Sequence, residues 1–358
     1  MKKANMIMLI FSIFLIICLP TISSVEINIE KKSNYSLITE NNDANQYALL
    51  IGFGAGAVTI AKDAIDMKNL LLKYGWDEQN IKSVLCTEAT KNNILNSIEG
   101  WLDDREQTDD DVLIYFSIHG GQTDEDGVTT SIDLDEPDNK EEFICPIDFV
   151  LRYPYYPFTP FGCDFSLAIL DEELNIAISM LESEKILIIF ESCFSGGMID
   201  GDLDLAKAGR IVMTSSESTK PSWFNRYGMY GYFTNNLIKG LEGEADKAVN
   251  GGNEDGLISA QEAFNYAKPL TTQEVKKKHD AIQTPQIFDG YNNDFNIIDL
   301  SKKKGNNAKN NNMITPIGNL FQEFKSIFCT IQHLKVRQSL LYLQVQFQQA
   351  SPHHTGFH

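Results

Sequence analysis

Two kinds of hydrophobic pattern alternate along this chain. In the first, apolar residues run on with little polar interruption: YALLIGFG from Tyr47, then Ile81–Cys86, Val112–Ile118, Ile186–Phe190 and Arg210–Thr214. Short runs of this kind suit strands buried on both faces of a sheet. In the second, apolar residues return every three or four positions, the spacing of one helix face. Ala64, Met67, Leu71 and Tyr74 align within Asp63–Tyr74; Ile94, Ile98 and Trp101 within Lys91–Leu102; Leu174, Ile178 and Leu181 within Asp171–Leu181. Tyr230–Leu241 reads as a fourth helix. Strand and helix in turn predict parallel strands joined by crossover helices. The expected fold class is α/β, a three-layer α/β/α sandwich around a mostly parallel central sheet.

The same pattern sets domain limits. Lys2 and Lys3 precede the uncharged MIMLIFSIFLIICLP, and Thr21-Ile22-Ser23 offers small residues before Ser24. Residues 1–23 therefore read as a secretory signal peptide, which predicts a secreted or cell-surface protein. A membrane anchor is the rival reading, although roughly fifteen apolar residues are short for a span. Membrane contact is expected only if the segment is retained. Residues 24–45 are polar, a leader or linker, and 46–300 form the folded domain. SKKKGNNAKNNN opens a low-complexity linker, and the remainder of the 301–358 tail points to no function.

Charge and cysteine content narrow the class. A net charge of −19 excludes the basic footprint that nucleic-acid binding needs. With 43% apolar residues the chain fills a core without a disulfide scaffold. Beyond the leader lie Cys86, Cys145, Cys163, Cys193 and Cys329, an odd count that leaves at least one thiol over. None shows zinc-site spacing. Cys145 and Cys163 are a pair that an oxidising compartment would allow to bridge.

Two of the expected strands end in reactive groups. DVLIYFSIHGGQ runs into His119, Gly120 and Gly121; KILIIFESCFSGGM runs into Cys193, with Gly196 and Gly197 beyond it. In open parallel sheets ligands bind beyond the carboxyl ends of the strands, so both side chains are expected at one edge. A thiolate is a nucleophile, and an imidazole can take the thiol proton and return it to a leaving amine. Glycine lets backbone N–H groups approach a developing oxyanion. Alone, either residue is more often structural packing; the pair at two strand ends is what suggests catalysis. GFGAG after the first strand lacks dinucleotide-loop spacing.

FSIHGGQ and FESCFSGG resemble the two motifs of the caspase, metacaspase and legumain group of cysteine peptidases, a strand ending in HGG and a later one ending in [DE]-x-C-x-S-G. YALLIGFG, KDAIDMKNLLLKYGW, EEFICPID, ILDEEL and QTPQIFDG resemble the segments around them, most like prokaryotic metacaspase-like members. The resemblance covers about residues 46–295. It implies a cysteine endopeptidase acting on proteins or peptides. Cys193 would be the nucleophile and His119 the general acid/base, with the N–H groups of Gly120 and Cys193 as oxyanion hole. No third residue is obligatory.

Substrate preference follows from neighbours. Glu191 lies two residues before Cys193, and residues i and i+2 of a strand share a face. By the resemblance, Glu191 and Asp63 stand where metacaspases hold two acids for a basic side chain, which implies cleavage after Arg or Lys. Asp63 as a plain helix cap is the simpler reading. Legumain-like peptidases, which cut after Asn or join peptides, also carry a Glu before the nucleophile and stand as the alternative. A catalytically inactive binding protein on the same fold is the third, disfavoured by the intact motifs. TSSESTKPSW resembles the segment lining the substrate groove, with Ser215 and Trp223 as candidates there. No cofactor is required. Calcium is an expected activator by the resemblance, and NGGNEDGLISAQE places Asn253, Asp255 and Glu262 at calcium-loop positions 3, 5 and 12. Position 1 falls on Gly251, and Ser259 to Glu262 reads equally as a capping box opening a helix. The acidic loop from Asp124 to Glu142 is a second cation candidate and a possible place for self-processing.

Overall fold

The computed structural model describes residues 44–53, 59–124, 139–153, 163–201, 204–225 and 230–304. The expected leader, most of the acidic loop and the tail lie outside these residues.

In chain order the elements are β1 (Gln46–Phe53), α1 (Thr59–Lys73), β2 (Ile81–Leu85), α2 (Lys91–Asn96), β3 (Asp111–Asp124), β4 (Lys140–Cys145), α3 (Ile147–Arg152), β5 (Ile169–Leu170), α4 (Asp171–Ile178), β6 (Ile186–Glu191), β7 (Arg210–Thr214), α5 (Tyr232–Lys239), β8 (Leu257–Ser259), α6 (Ala260–His279), β9 (Gln286–Asp289) and β10 (Asn296–Asp299). The main sheet runs β2-β1-β3-β6-β7-β9, with β4 and β5 extending from the far end of β3. β2, β1, β3, β6 and β7 are mutually parallel; β9 is antiparallel to β7. The sheet is flanked by helices on both faces, as the alternating pattern predicts.

The apolar runs divide by parity. Leu113, Tyr115, Leu187, Ile189, Ile211 and Met213 point to one face, where Met67 and Leu71 of α1, Leu237 of α5 and Phe264 of α6 cover them. Val112, Ile114, Phe116, Ile188, Phe190 and Val212 point to the other, against Ile94 of α2 and Leu174 and Ile178 of α4. A strand with covers on both faces needs no polar alternation, which explains ILIIF at β6. Each fully buried aliphatic or phenyl side chain there contributes about 1.5–3 kcal/mol. Gly52 closes the β1–α1 contact: a Cβ there would lie 2.9 Å from the Ala64 Cβ and 3.0 Å from the Ala61 Cα.

Several details differ from the sequence pattern. The helix expected from Asp63 begins at Thr59, so Asp63 lies inside it and is not its cap, and the helix expected to reach Leu181 ends at Ile178. The Lys91–Leu102 helix is α-helical only to Asn96 and widens into a π turn over Ser97–Leu102. The helix expected from Tyr230 begins at Tyr232. No disulfide joins Cys145 and Cys163; both pack with the Phe143, Phe149 and Phe165 cluster. No helix among the described residues is long and apolar enough to cross a membrane.

Candidate active site

Parallel pairing fixes the two reactive strand ends at one level. The β3–β6 ladder ends with Ser117 opposite Glu191. Two residues further on each strand stand His119 and Cys193. There β3 leaves its parallel partners and pairs antiparallel with β4, His119 lying opposite Cys145. Gly120 then meets the nucleophile turn. A Cβ on it would lie 2.1 Å from the Cys193 carbonyl oxygen, so no other residue fits without moving that backbone. Gly196 and Gly197 are equally confined, against the Glu217–Ser218 backbone and the Glu142 side chain. The sequence suggests these glycines for close approach to an oxyanion; packing against neighbouring backbone and side chains also requires them.

After Cys193 the chain turns through Phe194 in a left-handed conformation, φ 59°. Such a φ is unfavourable for a bulky residue and is held by its surroundings; the Phe194 N–H donates to the Lys220 carbonyl at 2.9 Å. The Cys193 thiol donates to the Ser222 carbonyl at 3.7 Å. Burial pushes the Cys193 thiol up, with the Ser222 contact opposing and the Glu191 charge adding to the rise. Burial pushes the His119 imidazole down from its ordinary value. Both directions favour neutral thiol and neutral imidazole over an ion pair.

Beside this pair lie two buried carboxylates. Glu191 closes β6, and Asp63 projects from the first turns of α1. Both reach the amino end of α5. The Asp63 carboxylate accepts the Gly231 N–H at 2.9 Å and the Ser117 hydroxyl at 3.4 Å. Glu191 accepts the Thr234 N–H at 2.7 Å and the Ser222 hydroxyl. Burial, then repulsion from Glu191, holds the Asp63 carboxyl well above the ordinary carboxylate range. Burial raises Glu191 too, against the Ser222 and Thr234 hydrogen bonds. Among the described residues neither carboxylate has a lysine or arginine within ion-pairing distance.

The loop following β7 ties the groups together. Ser215 donates its hydroxyl to the Ser192 carbonyl at 3.0 Å and accepts the Ser192 N–H at 3.1 Å, clamping the residue before the nucleophile. Trp223 stacks on His279, ring centres 4.6 Å apart. Gln283, fully buried, donates to the Ser215 carbonyl and the Ser222 hydroxyl and accepts the Trp223 N–H. Ser222, Thr234 and Gln283 are absent from the sequence reading. Gln283 opens the QTPQIFDG segment singled out there, but its distance in sequence from Ser222 conceals the contact.

The three calcium-loop candidates hydrogen-bond to one another. Asn253 Nδ2 donates to Asp255, the Asn253 N–H donates to Glu262, and Glu262 also accepts both the N–H and hydroxyl of Ser259. The last pair completes a capping box at the start of α6. A different acidic group involves β4, the strand that pairs with the His119 end of β3. Glu141 of β4 and Asp171 and Glu172 of α4 are buried and bring carboxylate oxygens within 4.8 Å of one another. Among the described residues neither oxygen of Glu172 has a hydrogen-bond partner.

Comparison with known proteins bears on these groups. The family model described as "Caspase domain" matches residues 45–295. Among curated proteins, Metacaspase-1 of Eremothecium gossypii is 27% identical over 172 residues, 44% of this chain and 33% of that protein. Metacaspase-1 of Schizosaccharomyces pombe is 23% identical over 288 residues, 74% of this chain and 62% of that protein. The matched stretches thus span about a third to three fifths of those relatives' length. A crystal structure from Geobacter sulfurreducens aligns with a TM-score of 0.44 and 17% identity over 73% of this chain and 97% of that one.

Proposed function

The chain belongs to the caspase-domain family of cysteine peptidases, and from that premise we propose that it is an endopeptidase working through Cys193 and His119. Substrate entering the cleft displaces the weak bond from the thiol to Ser222. His119 takes the proton as Cys193 Sγ attacks the scissile carbonyl carbon. The oxyanion forms against the N–H groups of Gly120 and Cys193, donors already fixed by the packing of Gly120 on the Cys193 carbonyl. The C–N bond then breaks, His119 gives its proton to the leaving amine, and water, deprotonated by His119, hydrolyses the thioester. The neutral resting pair means that charge develops only during reaction.

The preferred cut follows Arg or Lys. The observation that carries this reading is the pair Asp63 and Glu191, buried together at the strand end with no lysine or arginine in ion-pairing distance among the described residues. A guanidinium or ammonium entering between them relieves their repulsion and their burial. One observation favours the alternative: burial raises the Glu191 pKa, and a carboxyl that holds its proton can donate to an Asn side-chain carbonyl, the legumain-like preference. Rates on fluorogenic peptides with Arg, Lys or Asn before the scissile bond decide between them. Fast cleavage after Arg and Lys by wild type, with none by Cys193→Ala, is expected. Labelling by no thiol-directed acyloxymethyl ketone would sink the enzyme reading, and a preference for Asn only the pocket assignment.

Calcium, if it activates this protein, fits Glu141, Asp171 and Glu172 better than the loop at Asn253. Three buried carboxylates that converge within 4.8 Å are a hard-oxygen donor set, whereas the loop at Asn253 has Gly251 at its first ligand position. Bound there, the ion would neutralise charge between β4 and α4 and so brace the strand paired with His119. Export of the protein rests on residues 1–23 and is checked by fractionating cells for the mature chain.

A further inference from the structure

A second cavity opens at the other edge of the sheet, where β6 and β7 begin. It measures about 780 Å³. Arg210, the first residue of β7, lines it and is only 6% exposed. Its Nη1 donates to Asn175 Oδ1 at 2.7 Å and its Nη2 to Ser179 Oγ at 2.8 Å, both neutral acceptors. Among the described residues no carboxylate lies within ion-pairing distance of it. Burial lowers the Arg210 pKa to about 10, so the guanidinium stays charged at neutral pH. A buried cation without a counter-charge is unfavourable, and the planar fork has donors left for an oxyanion.

The rest of the lining limits which anion fits. Lys185 and Lys207 are half-buried in the same wall, whereas Asp109, Glu182 and Glu184 are exposed. The buried charge is that of Arg210, and the acidic side chains of the lining are exposed. Such an arrangement accepts one negative charge near the guanidinium and repels a ligand that carries several. The volume falls within the range of small-molecule sites.

We propose that this cavity binds a small ligand through a single carboxylate seated on Arg210. The site is separate from the Cys193 edge and does not depend on the peptidase reading.

Benzoate and its neutral isostere benzamide test the carboxylate directly. With the full chain carrying Cys193→Ala to prevent self-digestion, saturating benzoate is expected to raise Tm by about 1–3 °C. Benzamide at the same concentration and ionic strength is expected to leave Tm unchanged, and Arg210→Gln to abolish the benzoate effect. Equal shifts with both compounds, or a shift kept in Arg210→Gln, would overturn the proposal. Inorganic phosphate stabilising as strongly as benzoate through Arg210 would overturn the limit to one charge. Because Arg210→Gln risks misfolding, a crystal of the otherwise unaltered chain soaked in 4-bromobenzoate supplies an independent reading. An anomalous bromine peak in the cavity with the carboxylate on Arg210 is expected; an empty cavity counts against the site.

Discussion

Asp63 and Glu191 are acids that folding has made harder to ionise, and the sign of that effect can be measured. A carboxyl whose folded pKa is raised contributes stability below its unfolded value, near 3.8 for Asp63, and loses it as pH rises through the folded value. Ionising the buried pair therefore weighs against the fold. Asp63→Asn retains an acceptor for the Gly231 N–H and removes the charge. It should raise Tm at pH 7 by about 2–4 °C, with the gain vanishing near pH 3, while cleavage after Arg falls by ten-fold or more. A loss of stability at pH 7 would mean that the charge is already compensated. His119 behaves in the opposite sense. Its lowered pKa keeps the imidazole neutral further into acid, so the acid limb of kcat/KM should fall below the ordinary value of 6.5. A limb at 7 or above in a pH–rate profile would contradict an imidazole whose desolvation lowers its pKa. His119 and Cys193 were legible because each follows an unbroken apolar strand, and a parallel sheet brings such ends to one edge. Ser222, Thr234 and Gln283 were not, because each comes from a different loop or helix end and carries no local pattern.

Among the elements, β3 does the most positioning. Its first part pairs parallel with β1 and β6, its last six residues pair antiparallel with β4, and His119 stands at the change of partner. Gly120→Ala should therefore act on turnover more than on folding. Pushing the Cys193 carbonyl aside would misplace both proposed oxyanion donors, and a fall in kcat of about 10²–10³ is expected; unchanged kcat would remove Gly120 from the proposed oxyanion hole. The capping box of α6 makes a matching control. Ser259→Ala should lower stability by about 1 kcal/mol in urea unfolding and leave any calcium response intact. If calcium response disappears with Ser259→Ala but survives Glu172→Gln, the ion belongs to the Asn253 loop after all. The long apolar strands and the amphipathic helices were readable from period alone. β4 was not, since KEEFIC carries two glutamates that read as surface but are buried. β5, of two residues, offers no period to read.

At the scale of the molecule, the sheet has a different chemistry at each end of the same strands. β6 runs from the wall of the Arg210 cavity to Glu191, and β7 from Arg210 itself to the loop that clamps Ser192. The strands also decide what a single cut in the backbone would do. No Lys or Arg occurs between Glu106 and Lys140, so a peptidase cutting after basic residues finds no site in the acidic loop before Lys140. Arg152, exposed at the end of α3, is the accessible basic residue between His119 and Cys193, because Lys140 begins a paired strand and Lys185 is half-buried at the start of another. A break there puts the base on one polypeptide and the nucleophile on the other. Six β3–β6 register pairs and the β4–β5 pairs still join the halves. Self-digested protein should thus run as two bands in denaturing gels, one band for Arg152→Gln, and as one unchanged particle in gel filtration. The mature form would be a heterodimer made from one gene, its subunits held by the sheet and never released.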